Sequence, residues 1–414
     1  MFTVEEVLKI VKGSSIKGQG LKKINGLSID SRTIKPGELF IPIKGPKFDG
    51  RKFIKQVLAK GAAVVATTDG LKALQALAAY HRQKFNIPII GVTGSVGKTT
   101  TKDMIAAILS QERETLKTEE NYNNEIGVPL TLLKLSKQHK AAVIEMGMQA
   151  LGEIELLAKI ARPTISVVTN IGESHLEFLK TKKNIAKVKS EIFKFQTKND
   201  FVVINADDEF FEHLLSNIKC RISNIVSFGI IEKAKVTPKE LSNITLPLAG
   251  EHNIYNALTA IAVAKILDVK RTSIKKGLES FRPSSNRYDV INRLDGVKII
   301  NDTYNASPQS MKAMLEIFAS LCGRKIAVLG NMYELGEISK LAHQRIGRLA
   351  RKLGIDIVIT IGKLAKDLAG HYHFASKKTA IKKLKSLIQP GDRLLIKASH
   401  GLHLEEVVAA IRNL

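Results

Sequence analysis

The stretch "GVTGSVGKTT", residues Gly91–Thr100, decides how the central part of the chain folds. It nearly matches the phosphate-binding loop, whose pattern is a glycine, four residues and then Gly-Lys-Ser/Thr. Counting back from "GKT" (97–99) places Val92 where the first glycine is expected, and glycines stand at Gly91 and Gly94 instead. The sequence therefore raises the question of which kind of phosphate loop this is.

The residues around the loop supply its structural context. The run "IPII" (87–90) suits a buried strand, and "TTKDMIAAILS" (100–110) has the apolar spacing of a helix. At a helix N-terminus, free backbone N–H groups and the helix dipole attract phosphate. Lys98 adds a positive charge, and the Thr99 hydroxyl can ligate Mg²⁺. The alternative is an ordinary glycine-rich turn, but all parts of a phosphate loop occur in order.

The sequence predicts an α/β protein with three domains. Residues 1–85 combine an initial helix, a Pro/Gly/Asp-rich stretch, a helix over about 51–60 and a strand, as in a small domain with a binding loop. Residues 86–283 alternate apolar runs with helical segments, which predicts a mostly parallel sheet covered by helices. The alternation restarts over residues 284–414 and predicts a second, Rossmann-like domain without a dinucleotide fingerprint.

Five apolar runs are the predicted strands of the central domain: "IPIIGVT", "AAVIEMG", "TISVVTNIG", "FVVINAD" and "NIVSFG". Ligands of open α/β sheets bind beyond the carboxyl ends of the strands, so we expect the site there. Glu145 ends one run and is well placed to hold Mg²⁺, although a chance acidic strand end gives the same pattern. His175 follows another run, where a structural histidine is the ordinary alternative.

Two further polar clusters are candidates for the site. "TEENYNNEIGVPLTLL" carries Asn121, Asn123 and Asn124 ahead of an apolar helix, where they would bind substrate or cap the helix. "NDTYNASP" follows the strand-like "VKII" and presents Asp302 and Asn305, unless it forms an ordinary Asx turn. The sequence contains no nucleophile elbow, zinc pattern or Ser-His-Asp set. The chemistry indicated is phosphoryl transfer from a Mg²⁺-bound nucleotide, shared between two domains.

The composition favours a cytoplasmic enzyme over a nucleic-acid-binding protein. The net charge is +25, but the 48 lysines and 16 arginines are spread along the chain without a dense basic block. Anionic small substrates account for some of this charge, and we expect neither nucleic acid nor a membrane as a partner. Cys220 and Cys322 are far apart, which fits a reducing compartment. Without a signal peptide or a long apolar run, we expect a cytoplasmic protein. We also expect it to be a monomer.

Ordered motifs along the whole chain resemble the Mur ligase family of peptidoglycan precursor synthesis. They are "DSRTIKPGELFIPIKGPKFDG", "TGSVGKTT", "NYNNEIGVPLTLL", "EMG", "SHLE", "KVKSEIF", "GEHNIYNA" and "NDTYNASP". The variant loop is similar to that family's nucleotide loop, which answers the question raised by Val92. Two motifs, "NNEIGVP" and "NDTYNASP", favour the family member that adds a dipeptide over the one that adds the third amino acid.

The resemblance implies a reaction and its substrates. In the family, the first domain binds a UDP-sugar peptide, the second binds ATP, and the third binds the incoming amino compound. The terminal carboxylate of UDP-N-acetylmuramoyl-tripeptide attacks the γ-phosphate of ATP, and the amine of D-alanyl-D-alanine then attacks the acyl phosphate. ATP and Mg²⁺ are therefore the implied cofactors, and positioning and charge neutralisation dominate such a transfer.

The resemblance also implies roles for individual residues. Those implied in catalysis are Lys98, His175 and Lys189, which matches the family's carbamylated lysine. Those implied to bind the nucleotide are Gly94, Ser95, Val96, Gly97, Lys98, Thr99, Thr100, Asn253, Asn256, Arg287, Asp302 and Asn305. Those implied to bind metal are Thr99, Glu145, His175 and Lys189. Those implied to bind substrate are Ser31, Arg32, Gly45, Asp49, Asn121, Asn123 and Asn124.

Four positions depart from the family pattern. Asn286 stands where the family usually has glycine before Arg287, Asn331 stands for an aspartate, and Ala398 and His400 stand for glycine and arginine. The last three lie in the domain that should receive the amino acceptor and leave its identity open. The sequence also leaves open whether the tripeptide ends in lysine or diaminopimelate. The alternatives are a sibling ligase, a nucleic-acid-dependent P-loop ATPase and a non-catalytic scaffold.

Overall fold

The computed structural model describes residues 2–18, 22–46, 48–218, 224–283 and 286–413. The chain forms three α/β domains in sequence, as predicted. Cys220 and the expected domain boundary at residue 284 lie outside the described residues, and the domain boundaries stay predictions. No helix in the described ranges is long and apolar enough to cross a membrane.

The N-terminal domain is a small mixed sheet with flanking helices. Its strands are β1 (Phe2–Thr3), β2 (Ser15–Lys17), β3 (Lys23–Ile24), β4 (Leu27–Ser28), β5 (Leu39–Phe40) and β6 (Ala63–Ala66), and its helices are α1 (Val4–Ile10), α2 (Ile54–Ala59) and α3 (Gly70–Gln83). The order of the larger sheet is β2-β6-β5-β4, and β1 pairs with β3. The helix expected over about 51–60 is divided into a 3₁₀ turn, Gly50–Phe53, and α2. The Asp49 side chain caps that turn by accepting a hydrogen bond from Arg51 N.

The central domain is built on a parallel sheet. Its strands are β7 (Ile89–Thr93), β8 (Thr115–Lys117), β9 (Ala141–Glu145), β10 (Ile165–Val168), β11 (Phe201–Asn205) and β12 (Asn224–Phe228), and its helices are α4 (Lys98–Leu109), α5 (Gly127–Leu133), α6 (Glu153–Ala161), α7 (Leu176–Leu179), α8 (Lys182–Ser190), α9 (Phe211–Ile218), α10 (Glu251–Ile266) and α11 (Arg271–Ser280). The strand order is β12-β11-β10-β7-β9-β8. Strands β7, β9 and β10 are buried along their whole length, as expected when helices cover both faces of a parallel sheet.

The C-terminal domain repeats this architecture. Its strands are β13 (Asp289–Asn292), β14 (Lys298–Asp302), β15 (Lys325–Gly330), β16 (Ile357–Ile361), β17 (Tyr372–Phe374) and β18 (Arg393–Lys397), and its helices are α12 (Pro308–Ala319), α13 (Ser339–Lys352), α14 (Lys377–Leu387) and α15 (Glu405–Arg412). The order is β13-β14-β18-β15-β16-β17, with β13 antiparallel to β14 and the other pairs parallel. The predicted second α/β domain is therefore confirmed.

Helix α3 forms contacts between the N-terminal domain and the central domain. It packs against α5 and α6, so the apolar cores of the two domains are continuous. At its C-terminal end, His81 Nε2 lies 2.9 Å from Leu135 O. The buried Arg82 guanidinium donates hydrogen bonds to Ala161 O at 2.8 Å and Arg162 O at 3.3 Å. These carbonyls end α6, where the helix dipole favours a positive charge.

Replacing Arg82 by methionine tests this attachment. We expect the free energy of unfolding to fall by about 1–3 kcal/mol, because the carbonyl of the buried Ala161 loses a charged donor. Urea unfolding of the full chain, followed by circular dichroism, measures the change. Lys72→Met on the same helix is the matched control, since that side chain is 84% exposed and its loss should change stability by less than about 0.5 kcal/mol. Equal unfolding midpoints for the two variants would contradict the role of Arg82.

Candidate functional site

A large cavity lies between the central and C-terminal domains. Its volume is about 960 Å³, and residues at the carboxyl ends of β7, β9, β14 and β18 line it. This is the edge at which open α/β sheets bind ligands. The predicted site residues in its wall are Ser95, Val96, Gly97, Lys98, Thr99, Thr100, Asn121, Asn123, Asn124, Glu145, His175, Asn253, Asn256, Arg287, Asp302 and Asn305. The fold thus gathers residues from distant parts of the chain into one site.

Six predicted site residues are outside this wall: Ser31, Arg32, Gly45, Asp49, Gly94 and Lys189. Four of them belong to the N-terminal domain. There, Arg32 pairs with Asp30 and Asp49 pairs with Arg51, each at 2.7 Å. Ser31 is buried, and Gly45 N donates a hydrogen bond to Phe48 O at 2.7 Å. The structure does not bring these four residues to the cavity, and their substrate-binding role stays a prediction.

The phosphate loop requires glycine at two positions for steric reasons. Gly94 has a φ of 149° and Gly97 a φ of 84°. Residues other than glycine rarely adopt these backbone angles. A Cβ at Gly94 would lie 1.9 Å from Thr169 Oγ1, and a Cβ at Gly97 would lie 2.3 Å from Asn256 Oδ1. Val92 is instead a buried residue of β7, so the strand extends through the position where the standard pattern has its first glycine.

Asn170, at the end of β10, holds the loop in place. Ser95 N donates to Asn170 O and Val96 N donates to Asn170 Oδ1, each at 3.0 Å, while Asn170 Nδ2 donates to Val96 O at 2.9 Å. Lys98 Nζ folds back and donates to Gly94 O at 2.8 Å. Because α4 begins at Lys98, its first N–H groups have no partner within the helix. The loop is therefore a preformed anion site.

The two predicted asparagines of α10 brace the loop from the other side. Asn256 Oδ1 accepts a hydrogen bond from Thr101 Oγ1 at 3.1 Å, and Asn256 Nδ2 donates to Asn253 Oδ1 at 3.1 Å. Asn253 Nδ2 in turn donates to Ala249 O at 2.8 Å. Both residues line the cavity, but part of their hydrogen-bonding capacity links α4 to α10.

Glu145 presents a carboxylate oxygen without a partner. The residue is 2% exposed, its Oε1 accepts a hydrogen bond from Asn123 Nδ2 at 2.8 Å, and its backbone N donates to Thr118 Oγ1 at 3.0 Å. Its Oε2 has no hydrogen-bond partner among the described residues. A hard cation fits such an oxygen, and the buried Thr99 hydroxyl in the same wall is a second oxygen donor.

The donor set suits Mg²⁺ better than a metal that needs a full protein cage. Within the described residues, no group of three or more His, Cys, Asp or Glu side chains is arranged to hold a metal ion. Mg²⁺ usually keeps several waters and takes substrate phosphate oxygens, so one or two protein oxygens are enough. Glu145 and Thr99 fit that requirement.

Lys189 is buried and Lys187 is exposed, although both lie on α8. Lys189 is 1% exposed. Burial lowers the pKa of Lys189 well below its ordinary value, and the positive charge of Lys98 lowers it further. Burial also lowers the pKa of Lys98, whereas the carboxylate of Glu145 opposes that change. The Lys189 amine is therefore held in an environment that favours its neutral form.

His175 joins the central domain to the C-terminal one. Its Nδ1 lies 2.6 Å from Glu334 Oε2, and Glu177 N donates a hydrogen bond to Glu334 O at 3.2 Å. Burial lowers the pKa of His175, and its contact with Glu334 opposes the change. The same contact lowers the pKa of the Glu334 carboxyl. His175 therefore lines the cavity with its Nδ1 close to a carboxylate of the C-terminal domain.

The C-terminal wall carries a compact set of charges. Lys397 Nζ lies 2.5 Å from Asp302 Oδ2 and donates to Asn305 O at 2.8 Å. The Arg287 guanidinium lies over the Tyr304 ring, 3.8 Å from its centroid, which is a cation–π geometry. Asp302 is thus neutralised by a nearly buried lysine, whereas Arg287 supplies a positive charge to the cavity wall.

Two departures from the family pattern have a structural explanation. Asn286 has a φ of 62°, a left-handed conformation that glycine adopts freely and asparagine tolerates better than most residues. Asn331 is buried, and its Oδ1 accepts a hydrogen bond from Ala365 N at 2.9 Å while its Nδ2 donates to Tyr333 OH at 3.0 Å. An amide serves both contacts, since it has a donor and an acceptor.

The other two departures differ in their relation to the cavity. Ala398 is fully buried and lies outside the cavity wall. His400 is exposed, lines the cavity and lies with its ring centroid 5.7 Å from that of Tyr304. Among the departures in the C-terminal domain, His400 is thus the one that lines the cavity.

Sequence reasoning missed several residues of this site, among them Lys397 and Glu334. Lys397 follows the apolar run "LLI" (394–396), so the same reasoning from strand ends that found Glu145 would also have found it. Glu334 had no local signal, because its partner His175 belongs to another domain and only the folded chain brings the two together.

Comparisons with known proteins give the same assignment along the whole chain. Three family profiles match: "Mur ligase family, catalytic domain" over residues 23–114, "Mur ligase middle domain" over 92–264 and "Mur ligase, glutamate ligase domain" over 286–400. The UDP-N-acetylmuramoyl-tripeptide–D-alanyl-D-alanine ligase of Bacillus subtilis is 37% identical, with 98% of this chain and 97% of the relative covered. The protein of that name in Escherichia coli is 34% identical, with 99% and 98% covered.

Solved structures agree with this result. A crystal structure of MurF from Acinetobacter baumannii has a TM-score of 0.90 at 31% identity and covers 99% of this chain and 98% of its own. The MurF ligase of Thermotoga maritima in complex with ADP has a TM-score of 0.81 at 27% identity, with 94% and 97% covered. The chain therefore belongs to the Mur ligase family.

Proposed function

We propose that this chain is a cytoplasmic, ATP-dependent amide ligase of peptidoglycan precursor synthesis. It joins the terminal carboxylate of UDP-N-acetylmuramoyl-tripeptide to the amine of D-alanyl-D-alanine. The observation that carries the proposal is the cavity in which a phosphate loop, an unpartnered buried carboxylate oxygen and a cationic C-terminal wall meet. The full-length relatives that bear this activity in their name support the choice of substrates.

The phosphates of ATP bind where the loop concentrates positive charge. The N–H groups at the start of α4 and the Lys98 ammonium hold the phosphates from the central domain. Arg287, stacked on Tyr304, approaches from the C-terminal domain. Charge develops on the transferred phosphoryl group, so cations fixed on two sides lower the barrier.

Thr99 and Glu145 are the residues that would hold Mg²⁺. When bound, the metal neutralises the negative charge on the β- and γ-phosphates. Asn123 donates to one Glu145 oxygen at 2.8 Å, and the other, which has no hydrogen-bond partner among the described residues, would be available to the metal. The Mg²⁺ requirement and the monomeric state both belong to the proposal.

The reaction proceeds in two balanced steps. The tripeptide carboxylate oxygen bonds to the γ-phosphorus while the bond to ADP breaks, which yields an acyl phosphate. The neutral amine of the dipeptide then attacks the acyl carbon, phosphate leaves with the carbon–oxygen electron pair, and the amine gives up a proton. Both steps take place in the cavity between the two domains, whose wall includes the phosphate loop and Arg287.

The substrate assignment is tested by measuring phosphate release with paired donors and acceptors. We expect turnover with UDP-N-acetylmuramoyl-tripeptide and D-alanyl-D-alanine, and at least about tenfold less with single amino acids, since they cannot form the contacts of the second residue. Single-stranded DNA and RNA, which would stimulate a nucleic-acid-dependent ATPase, should leave the rate unchanged. Turnover with a single amino acid alone would identify a sibling ligase, and no turnover with any donor would favour a scaffold.

We also propose that Lys189 carries a carbamate formed from its amine and CO₂, with release of a proton. The structural support is its burial in the central domain together with its electrostatic interaction with Lys98. A neutral amine is the form that reacts with CO₂, and the resulting anion compensates the Lys98 ammonium. Lys187, exposed on the same helix, has no such environment.

Lys189→Ala should lose nearly all activity, about 100-fold or more, because an anion that aligns Lys98 is lost. Acetate or propionate should restore part of the rate by occupying the vacated space as a carboxylate. Lys187→Ala is the matched control and should keep the wild-type rate. Full activity of Lys189→Ala in bicarbonate-free buffer would refute the assignment.

A further inference from the structure

Helix α4 carries a second buried lysine that the proposed reaction does not use. Lys102 is 1% exposed and lies one helical turn after Lys98, so the two side chains share a face of α4. Its Nζ donates a hydrogen bond to Thr118 O at 2.7 Å and lies 3.4 Å from Asp103 Oδ1. It is absent from the cavity wall, so it does not reach a ligand there directly.

Thr118, which accepts the hydrogen bond from Lys102, also forms a hydrogen bond with Glu145. Thr118 is fully buried, and its Oγ1 accepts the hydrogen bond from Glu145 N at 3.0 Å. A few residues later, Asn123 Nδ2 donates to Glu145 Oε1 at 2.8 Å, and Asn123 O accepts from Gly147 N at 2.8 Å. Thr118 N also donates to Val143 O at 3.0 Å, so four hydrogen bonds join segment 118–123 to β9 and the residues just after it, and Lys102 links that segment to α4.

We propose that Lys102 is a positioning residue, which fixes segment 118–123 and thereby aims the unpartnered oxygen of Glu145 at the metal position beside the phosphate loop. A buried ammonium is unfavourable unless it is paired and hydrogen-bonded. A methionine would fill similar space without that penalty, so the specific contribution of the ammonium is its bond to Thr118 O. Helix α4 thus contributes to the site in two ways. Lys98 binds the phosphates, and Lys102 positions the Glu145 carboxylate.

The inference rests on the proposed function, because it needs the metal at Glu145. The probe is ADP, titrated by calorimetry into the full chain with Mg²⁺ and again with EDTA. For the wild type we expect Mg²⁺ to strengthen ADP binding. For Lys102→Met we expect this metal-dependent gain to fall about tenfold while the affinity in EDTA is unchanged, because the loop that binds the phosphates is intact.

Lys117→Met is the matched control. Lys117 pairs with the same Asp103 oxygen at 2.7 Å, but its side chain is 46% exposed, so we expect the wild-type metal-dependent gain. Thr118→Val is a second test that leaves Lys102 in place and removes the hydroxyl that accepts from Glu145 N. It should show the same loss as Lys102→Met, and the double variant should lose little more, since both changes act on one chain of contacts.

The outcomes separate the two proposals. A wild-type chain whose ADP affinity is the same with Mg²⁺ and with EDTA overturns the proposed metal site and this inference with it. If the wild type shows the metal-dependent gain and Lys102→Met retains it in full, the role of Lys102 alone is overturned. If Lys102→Met does not fold, full retention of the gain by Thr118→Val has the same consequence. Additive losses in the double variant also overturn it, because independent effects would then act at the two positions.

Discussion

The close packing of the phosphate loop against the end of β10 and the start of α10 is the constraint on which the site depends. Gly94 and Gly97 leave no room for a side chain, because Thr169 and Asn256 occupy that space. The Asn170 side chain then forms hydrogen bonds with the backbone N and O of Val96 in the loop. With the loop fixed in this way, the first turn of α4 and Lys98 have a single position relative to the sheet.

The second half of the site belongs to another domain, and polar contacts join the two. His175 and Glu334 form one link, and the cavity wall continues from the loop to Arg287 and Lys397 across the domain boundary. The wall of this shared cavity therefore carries cations from both domains, Lys98 from the central one and Arg287 from the C-terminal one.

Much of the fold could be predicted from the sequence, because strands buried on both faces appear as continuous apolar runs. The short edge strands β8, β13 and β17 were not predicted, since they carry too few apolar residues to stand out. Within the site, the strand-end rule located Glu145 and Asp302. It could not locate Glu334 or Lys102, because the partners of both are set by tertiary contacts and each resembles an ordinary surface residue in sequence.

The central claim is that the tripeptide carboxylate attacks ATP to form an acyl phosphate. A donor peptide whose terminal carboxylate carries ¹⁸O at both oxygens tests this most directly, with ATP, Mg²⁺ and D-alanyl-D-alanine present and the released phosphate analysed by mass spectrometry. One carboxylate oxygen becomes the bridge of the acyl phosphate and leaves with phosphorus when the amine attacks. We expect one ¹⁸O atom in each phosphate formed with amide product, and unlabelled phosphate accompanying the amide would contradict an acyl phosphate intermediate.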